Sequence, residues 1–294
     1  MKIYKERNDL KKMRPVIEKQ GFKAIYIVYI ALAILCIIAI GIAVYMQFFK
    51  DEKIGVVLGI TKKEDKEYNE LKENFTNIFT NNLTKENMYT GEIKKIRENE
   101  DIVFSAYNVQ EQKDNYIINI QLPFFNINSD TAKEINKELT KSFKEKSEQI
   151  MKSNTEEKKI YTIKYKAYVN NEILSMVILS ELKEGNNNQR IIFKSYNYNL
   201  ATNKQVDINE LIQLKNIDKT NANKKIKEEI EKSQEQNTKL AELGYNTITR
   251  DATSDTYKIE NAKEFFLGDK GYLYIIYPYG NKEYTSEMDI VIIK

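Results

Sequence analysis

Five tyrosines, Tyr196, Tyr198, Tyr277, Tyr279 and Tyr284, are the side chains of this chain best suited to recognition chemistry, because an exposed phenol ring can stack on a glycan ring. They lie in Tyr-rich segments that also read as strands, where the alternative is ordinary packing of aromatic rings on a sheet. Catalytic chemistry has less to draw on. Histidine is absent and the single cysteine is Cys36, so neither a Ser-His-Asp nor a Cys-His nucleophile system can be assembled, nor a zinc site with imidazole ligands. Paired carboxylates could cleave glycosides, but no pair among the 43 acids has a distinguishing spacing. The ten glycines are scattered and form no phosphate-binding loop. A non-enzymatic protein with no cofactor, no metal and no nucleic-acid partner is expected.

These residues must be carried by elements outside a membrane. Ala24 to Met46 is an unbroken run without Asp, Glu, Lys or Arg, and at about 1.5 Å per residue a helix of this length crosses a hydrocarbon core of about 30 Å. The expectation is one transmembrane helix over 24–47. Residues 1–23 hold eight Lys or Arg against three acids, a net +5, which leaves −2 for the remainder of a +3 chain. By the positive-inside rule the basic tail is cytoplasmic and residues 51–294 face outwards. The apolar core is too long for a cleaved signal peptide, and its nearest small-x-small match, Gly41-Ile42-Ala43, lies inside the run, so an uncleaved signal anchor is favoured. Cys36 sits mid-span, a small apolar residue in a helix. With no cysteine in the exported part, that part rests on its core without disulfides.

Residues 48–100 read as a juxtamembrane linker and an amphipathic helix. Tyr68, Leu71, Phe75, Ile78 and Phe79 recur at helical intervals and predict a helix over roughly 62–89, its apolar stripe packed on the following domain or on a second copy. From Ile102 the period becomes two. A hairpin is predicted from 102–110 and 116–122, closed by Pro123. Thr131 and Glu134 have the spacing of a capping box, opening a helix whose apolar face is Ala132, Ile135, Leu139, Phe143 and Ile150. Three antiparallel strands follow over 161–169, 173–182 and 191–200, then a short helix near Ile208–Leu214 and a charged helix over 221–243. Thr247 to Thr256 reads as a mobile loop, and 265–267, 272–277 and 289–293 as closing strands. The fold class is α+β over 101–294, an antiparallel sheet with packed helices.

Three segments carry a resemblance: "YIINIQLPFFNINSDTAKEINKEL" (116–139), "SYNYNLATNKQVDINELI" (195–212) and "EFFLGDKGYLYIIYPY" (264–279). In order and spacing they resemble the extracytoplasmic domain of the lysozyme-sensing anti-sigma-V factors, shared with the amino-terminal half of some Gram-positive peptidoglycan deacetylases. The family's Gly-Gly-Ala-His-like turn is here Glu184-Gly185-Asn186-Asn187-Asn188-Gln189, and its Pro-Tyr-Ala-containing loop is Gly280-Asn281-Lys282-Glu283-Tyr284. The resemblance implies a tethered sensor in the cell envelope. An outer domain would bind a lysozyme-like protein or peptidoglycan, proteolysis would follow near Gly41 and Ala43, and the tail would release a sigma factor. The other expectation is a wall-associated module that binds glycan or protein without signalling.

Overall fold

The computed structural model describes Tyr29 and residues 66–87, 89–278 and 288–294. The chain divides into two units, Met1–Lys66 and Glu67–Lys294. Apart from Tyr29, which is helical, the expected transmembrane run lies outside the described residues, as do Gly41 and Ala43. No helix among the described residues is long and apolar enough to cross a membrane.

The second unit has mixed α and β structure, with largely antiparallel sheets and packed helices, and it takes in residues 67–100 that the sequence reading assigned to a linker. Its first helix, α1 (Lys66–Glu73), is followed by a 3-10 turn at Phe75–Ile78 and by strand β1 (Leu83–Asn87). The helix expected over 62–89 therefore stops after two turns. The chain passes through the 3-10 turn and enters the sheet at Asn81, which adopts φ +58; its amide donates to the Tyr165 carbonyl and its Oδ1 accepts from the Tyr165 amide at 2.9 Å. Asn tolerates this left-handed conformation at small cost, and the turn commits the chain to a sheet.

Sheet A runs β2 (Val103–Lys113), β3 (Tyr116–Phe125), β4 (Lys159–Asn170), β5 (Ile173–Glu184), β6 (Arg190–Asn199), β7 (Lys204–Gln205). One edge of β4 is shared: Lys159–Ile163 pair with Tyr116–Ile120 of β3, and Ala167–Asn170 pair with β1, both in parallel. These two parallel pairings correct the purely antiparallel expectation. The first arises because the connection from β3 to β4 is a helix, and a helical crossover returns the chain in the same direction. Pro123 does not close the hairpin; β3 continues through it, opposite Ser105, with a bulge between Ser105 and Tyr107. Beyond Ile120 β3 has left β4, so proline sits where only one strand edge is paired.

The crossover contains α2 (Asp130–Leu139) and α3 (Glu145–Lys152), joined by a π-helical turn at Thr140–Lys144. Its N-cap is Ser129, whose hydroxyl accepts from the Ala132 amide at 3.1 Å; Thr131 and Glu134 do not form the expected box. The buried positions Ile135, Leu139, Phe143 and Ser147 are spaced by fours. Each step of four overshoots a 3.6-residue turn by about 40°, and the wider π turn absorbs that drift, keeping Phe143 and Ile150 on the buried face.

After β7 come α4 (Ile208–Leu214), capped by Asp207, and α5 (Lys219–Glu242), capped by Asp218. Sheet B closes the chain as three antiparallel strands, β10 (Met288–Ile293), β9 (Leu273–Pro278) and β8 (Glu264–Leu267), in that order. One face of sheet A packs on α2 and α3 through Tyr165, Met176, Tyr196, Leu139 and Phe143. On its other face stands sheet B, edge first. Its two surfaces close two further clusters: Phe266, Tyr274 and Ile292 with Tyr168, Val177, Phe193 and the α1 segment, and Phe265, Ile275 and Val291 with α4 and α5.

Candidate functional site

The alternation Ser195-Tyr196-Asn197-Tyr198 on β6 explains how the two sheets are joined. Period two sends Tyr196 and Tyr198 into the helix-side core and Ser195 and Asn197 to the opposite face. There the free edge of β8 needs partners. The Phe265 amide donates to Ser195 Oγ at 2.9 Å, Asn197 Nδ2 donates to the Phe265 carbonyl at 2.8 Å, and the Leu267 amide donates to Ser175 Oγ at 3.0 Å. Ser175 donates in turn to Asn197 Oδ1 at 2.6 Å, and Asn170 Nδ2 reaches the Gly268 carbonyl at 3.3 Å. Four side chains thus replace the neighbouring strand that β8 lacks. The Ser195 hydroxyl also donates to Glu264 Oε2 at 2.8 Å; burial pushes that carboxyl above its ordinary range. With both its donor and an acceptor position used to hold β8, Ser195 is a structural bridge between the sheets.

The tyrosines proposed for glycan stacking divide by position. Tyr196 and Tyr198 are buried, each edge-on to Phe125 at 6.3 and 6.2 Å. Tyr277 is buried and edge-on to Tyr257 at 5.3 Å. None of these three presents an open face to a sugar, and sheet packing accounts for them. Tyr279 and Tyr284 lie outside the described residues.

A polar group that the sequence reading missed lies in the segment read as a mobile loop. Arg250 Nε meets both oxygens of Asp289 at 2.9 and 2.7 Å, each side chain about 5% exposed, and the Tyr257 hydroxyl approaches Asp289 at 3.4 Å. Burial raises the Asp289 carboxyl, opposed by the arginine. The Arg250 amide is anchored to Gln234 Oε1 of α5 at 2.6 Å, so this segment is fixed rather than free. An arginine in a chain that mostly uses lysine was the available signal.

The arrangement most open to change is the clasp on α1, where the chain enters the second unit. The helix carries Glu67 in its first turn and Lys72 in its last, complementing the helix dipole. Glu67 accepts from Lys270 at 2.6 Å, from the carboxy-terminal residue Lys294 at 2.8 Å, and from the Tyr272 hydroxyl at 3.4 Å. The two lysines hold its carboxyl down to about 2. Tyr68 is buried, with the Lys225 ammonium 4.1 Å from its ring centre. Lys72 meets Glu229 of α5 at 3.1 Å, and Lys232 meets the same carboxylate at 2.9 Å. Burial alone would raise Glu229, but the two lysines outweigh it and the carboxyl lies below its ordinary value. One turn later Phe75 and Phe79 stack edge-on at 5.7 Å in the cluster shared by both sheets. The clasp therefore ties α1 to β9, to the end of β10 and to α5 at once. Its Glu67 contacts are ionic and partly exposed, whereas Tyr68 and Glu229 are buried. Among the described residues no group of three or more His, Cys, Asp or Glu side chains is arranged to hold a metal ion.

No protein-family model matches the chain, and no curated protein matches it. Among solved structures it is similar to a DUF3298 family protein from Pseudomonas aeruginosa PAO1, at 11% identity and a TM-score of 0.26, over 41% of this chain and 57% of that one. The match spans under two thirds of that protein, and a likeness at this level establishes no common fold.

Proposed function

We propose that the chain is a single-pass membrane protein with an extracytoplasmic sensor or ligand-binding domain, and that the domain reports to the membrane through α1. The observation that carries this reading is the clasp. The segment following the apolar run leads to a helix pinned to one end of sheet B, where β9 begins and β10 ends, and to α5, so a ligand that shifts sheet B or α5 would change the hold on α1. In its stronger form the protein is an anti-sigma-like envelope-stress regulator, as the resemblance in the three segments implies. A lysozyme-like protein or a peptidoglycan fragment is then the outer ligand, the region of Gly41 and Ala43 the cleavage region, and a sigma factor the cytoplasmic partner of the basic tail. No catalytic role is part of this proposal.

The test is calorimetry of residues 60–294, which include the whole second unit, against lysozyme and against peptidoglycan fragments, with amide exchange of α1 followed in parallel. Binding with faster exchange at 67–73 supports a sensor. Binding that leaves α1 unchanged points to a wall-associated module instead. Replacing residues 2–20 by another basic sequence separates a signalling tail, whose output would be lost, from a purely topological one.

A further inference from the structure

β2 ends sheet A on one side, and among the described residues it pairs only with β3. At eleven residues it is the longest edge strand described; β1 has five residues, β7 two, β10, with six, packs against α5, and the edge of β6 that β7 leaves uncovered carries Arg190 and Lys194 and gives its Ser195 amide to Glu264. The outer edge of β8 is occupied by side chains of sheet A. Long edge strands are normally protected by charge, proline or a bulge, because their outward N–H and C=O groups pair readily with another strand. β2 has no charge and no proline from Val103 to Gln110, and its one bulge lies near its start, leaving Tyr107–Lys113 in regular register.

We infer that this edge is a self-association surface, on which β2 of a second copy of the chain pairs antiparallel across a two-fold axis at Asn108. The side chains fit that occupant. In this register Tyr107 of each copy lies opposite Val109 of the other, giving two aromatic–β-branched pairs, a favourable cross-strand combination. Ala106 faces Gln110, Ser105 faces Glu111, and no two charges of one sign meet. Tyr107 and Val109 pack only partly against the core, so pairing covers surface that is otherwise left open. Tyr107 is also held in place beforehand: its hydroxyl bonds Ser147 at 3.2 Å and Lys144 lies over its ring at 5.2 Å. Glu111 and Lys113 pair with each other at 2.8 Å within one copy and leave no unbalanced charge at the strand's end. Two-fold pairing uses each β2 edge once, so association through β2 closes at a dimer.

The test uses the full chain with Cys36→Ser, in dodecyl maltoside micelles. Directly opposed antiparallel residues have Cα atoms about 4.5–5.5 Å apart, within disulfide reach. Under mild oxidation Asn108→Cys is expected to give a covalent dimer at least tenfold faster than Asn119→Cys, an exposed position on β3 away from the edge. Equal rates, or crosslinking of Asn108→Cys to a different polypeptide, overturn the proposal. In sedimentation the parent chain is expected to dimerise, and Asn108→Lys, which sets two ammonium groups on the axis, to weaken the dimer tenfold or more with an unchanged circular dichroism spectrum. A monomeric parent, or a dimer indifferent to Asn108→Lys, likewise overturns it.

Discussion

The seam between the two sheets and the clasp on α1 both join distant parts of the chain by polar contacts, and they do so on opposite terms. At the seam, Ser175, Ser195 and Asn197 are buried and each bonds a backbone group of β8 that has no strand beside it. Losing one leaves a buried donor or acceptor without a partner, which is expensive. At the clasp, Glu67 and its lysines are partly in water, and solvent replaces whatever contact is broken. The interior joint is therefore rigid, whereas the Glu67 contacts of the clasp can be lost at little cost to the domain.

The largest effect should come from breaking the buried ion pair. Arg250→Met leaves Asp289 uncompensated and is expected to cost about 3–5 kcal/mol in denaturant unfolding, whereas Arg250→Met with Asp289→Leu should recover most of that loss. Next is the seam: Asn197→Leu strands the Phe265 carbonyl and the Ser175 hydroxyl and should cost about 2–3 kcal/mol, with Ser175→Ala nearer 1–2 kcal/mol. If the seam variants proved neutral, the contrast between the two joints would fail.

The clasp should behave differently. Glu67→Gln is expected to leave the midpoint of global unfolding unchanged while amide exchange across 67–73 accelerates severalfold. The same opening should follow from acid. Glu67 has a folded value near 2 against an ordinary 4.5, so its contribution is complete above about pH 4.5 and is lost as pH falls towards 2. Protection of α1, corrected for intrinsic exchange, should decline over that window in the parent chain and stay flat in Glu67→Gln. A parent chain that is equally flat would mean Glu67 does not hold the helix.

Most elements were readable because they follow from local periodicity and caps. The strands β4, β5 and β6, the helix at Ile208–Leu214 with its Asp207 cap, and the buried face Ala132, Ile135, Leu139, Phe143 and Ile150 all lie where the residue pattern predicts. The α1 stripe was readable as apolar, but the turn of the following residues into the sheet was not, because the bonds that Asn81 makes there go to Tyr165, 84 residues away. Tyr196 and Tyr198 were misplaced for a related reason. A Tyr-Asn alternation states that the two residue types face opposite ways without stating which face is outside, and here both faces of β6 are covered.

The sequence alone determined the apolar run and its basic flank, the absence of imidazole and thiol chemistry from residues 51–294, and the identity of most helices and strands, since these depend on residue type and on spacings of two to four. Tertiary structure decided the parallel joints of β4, the docking of β8 by its edge, the Arg250–Asp289 pair and the clasp at Glu67. Each of these pairs groups far apart in the chain whose local surroundings look like ordinary polar surface, and only burial or proximity in the fold gives them their energy.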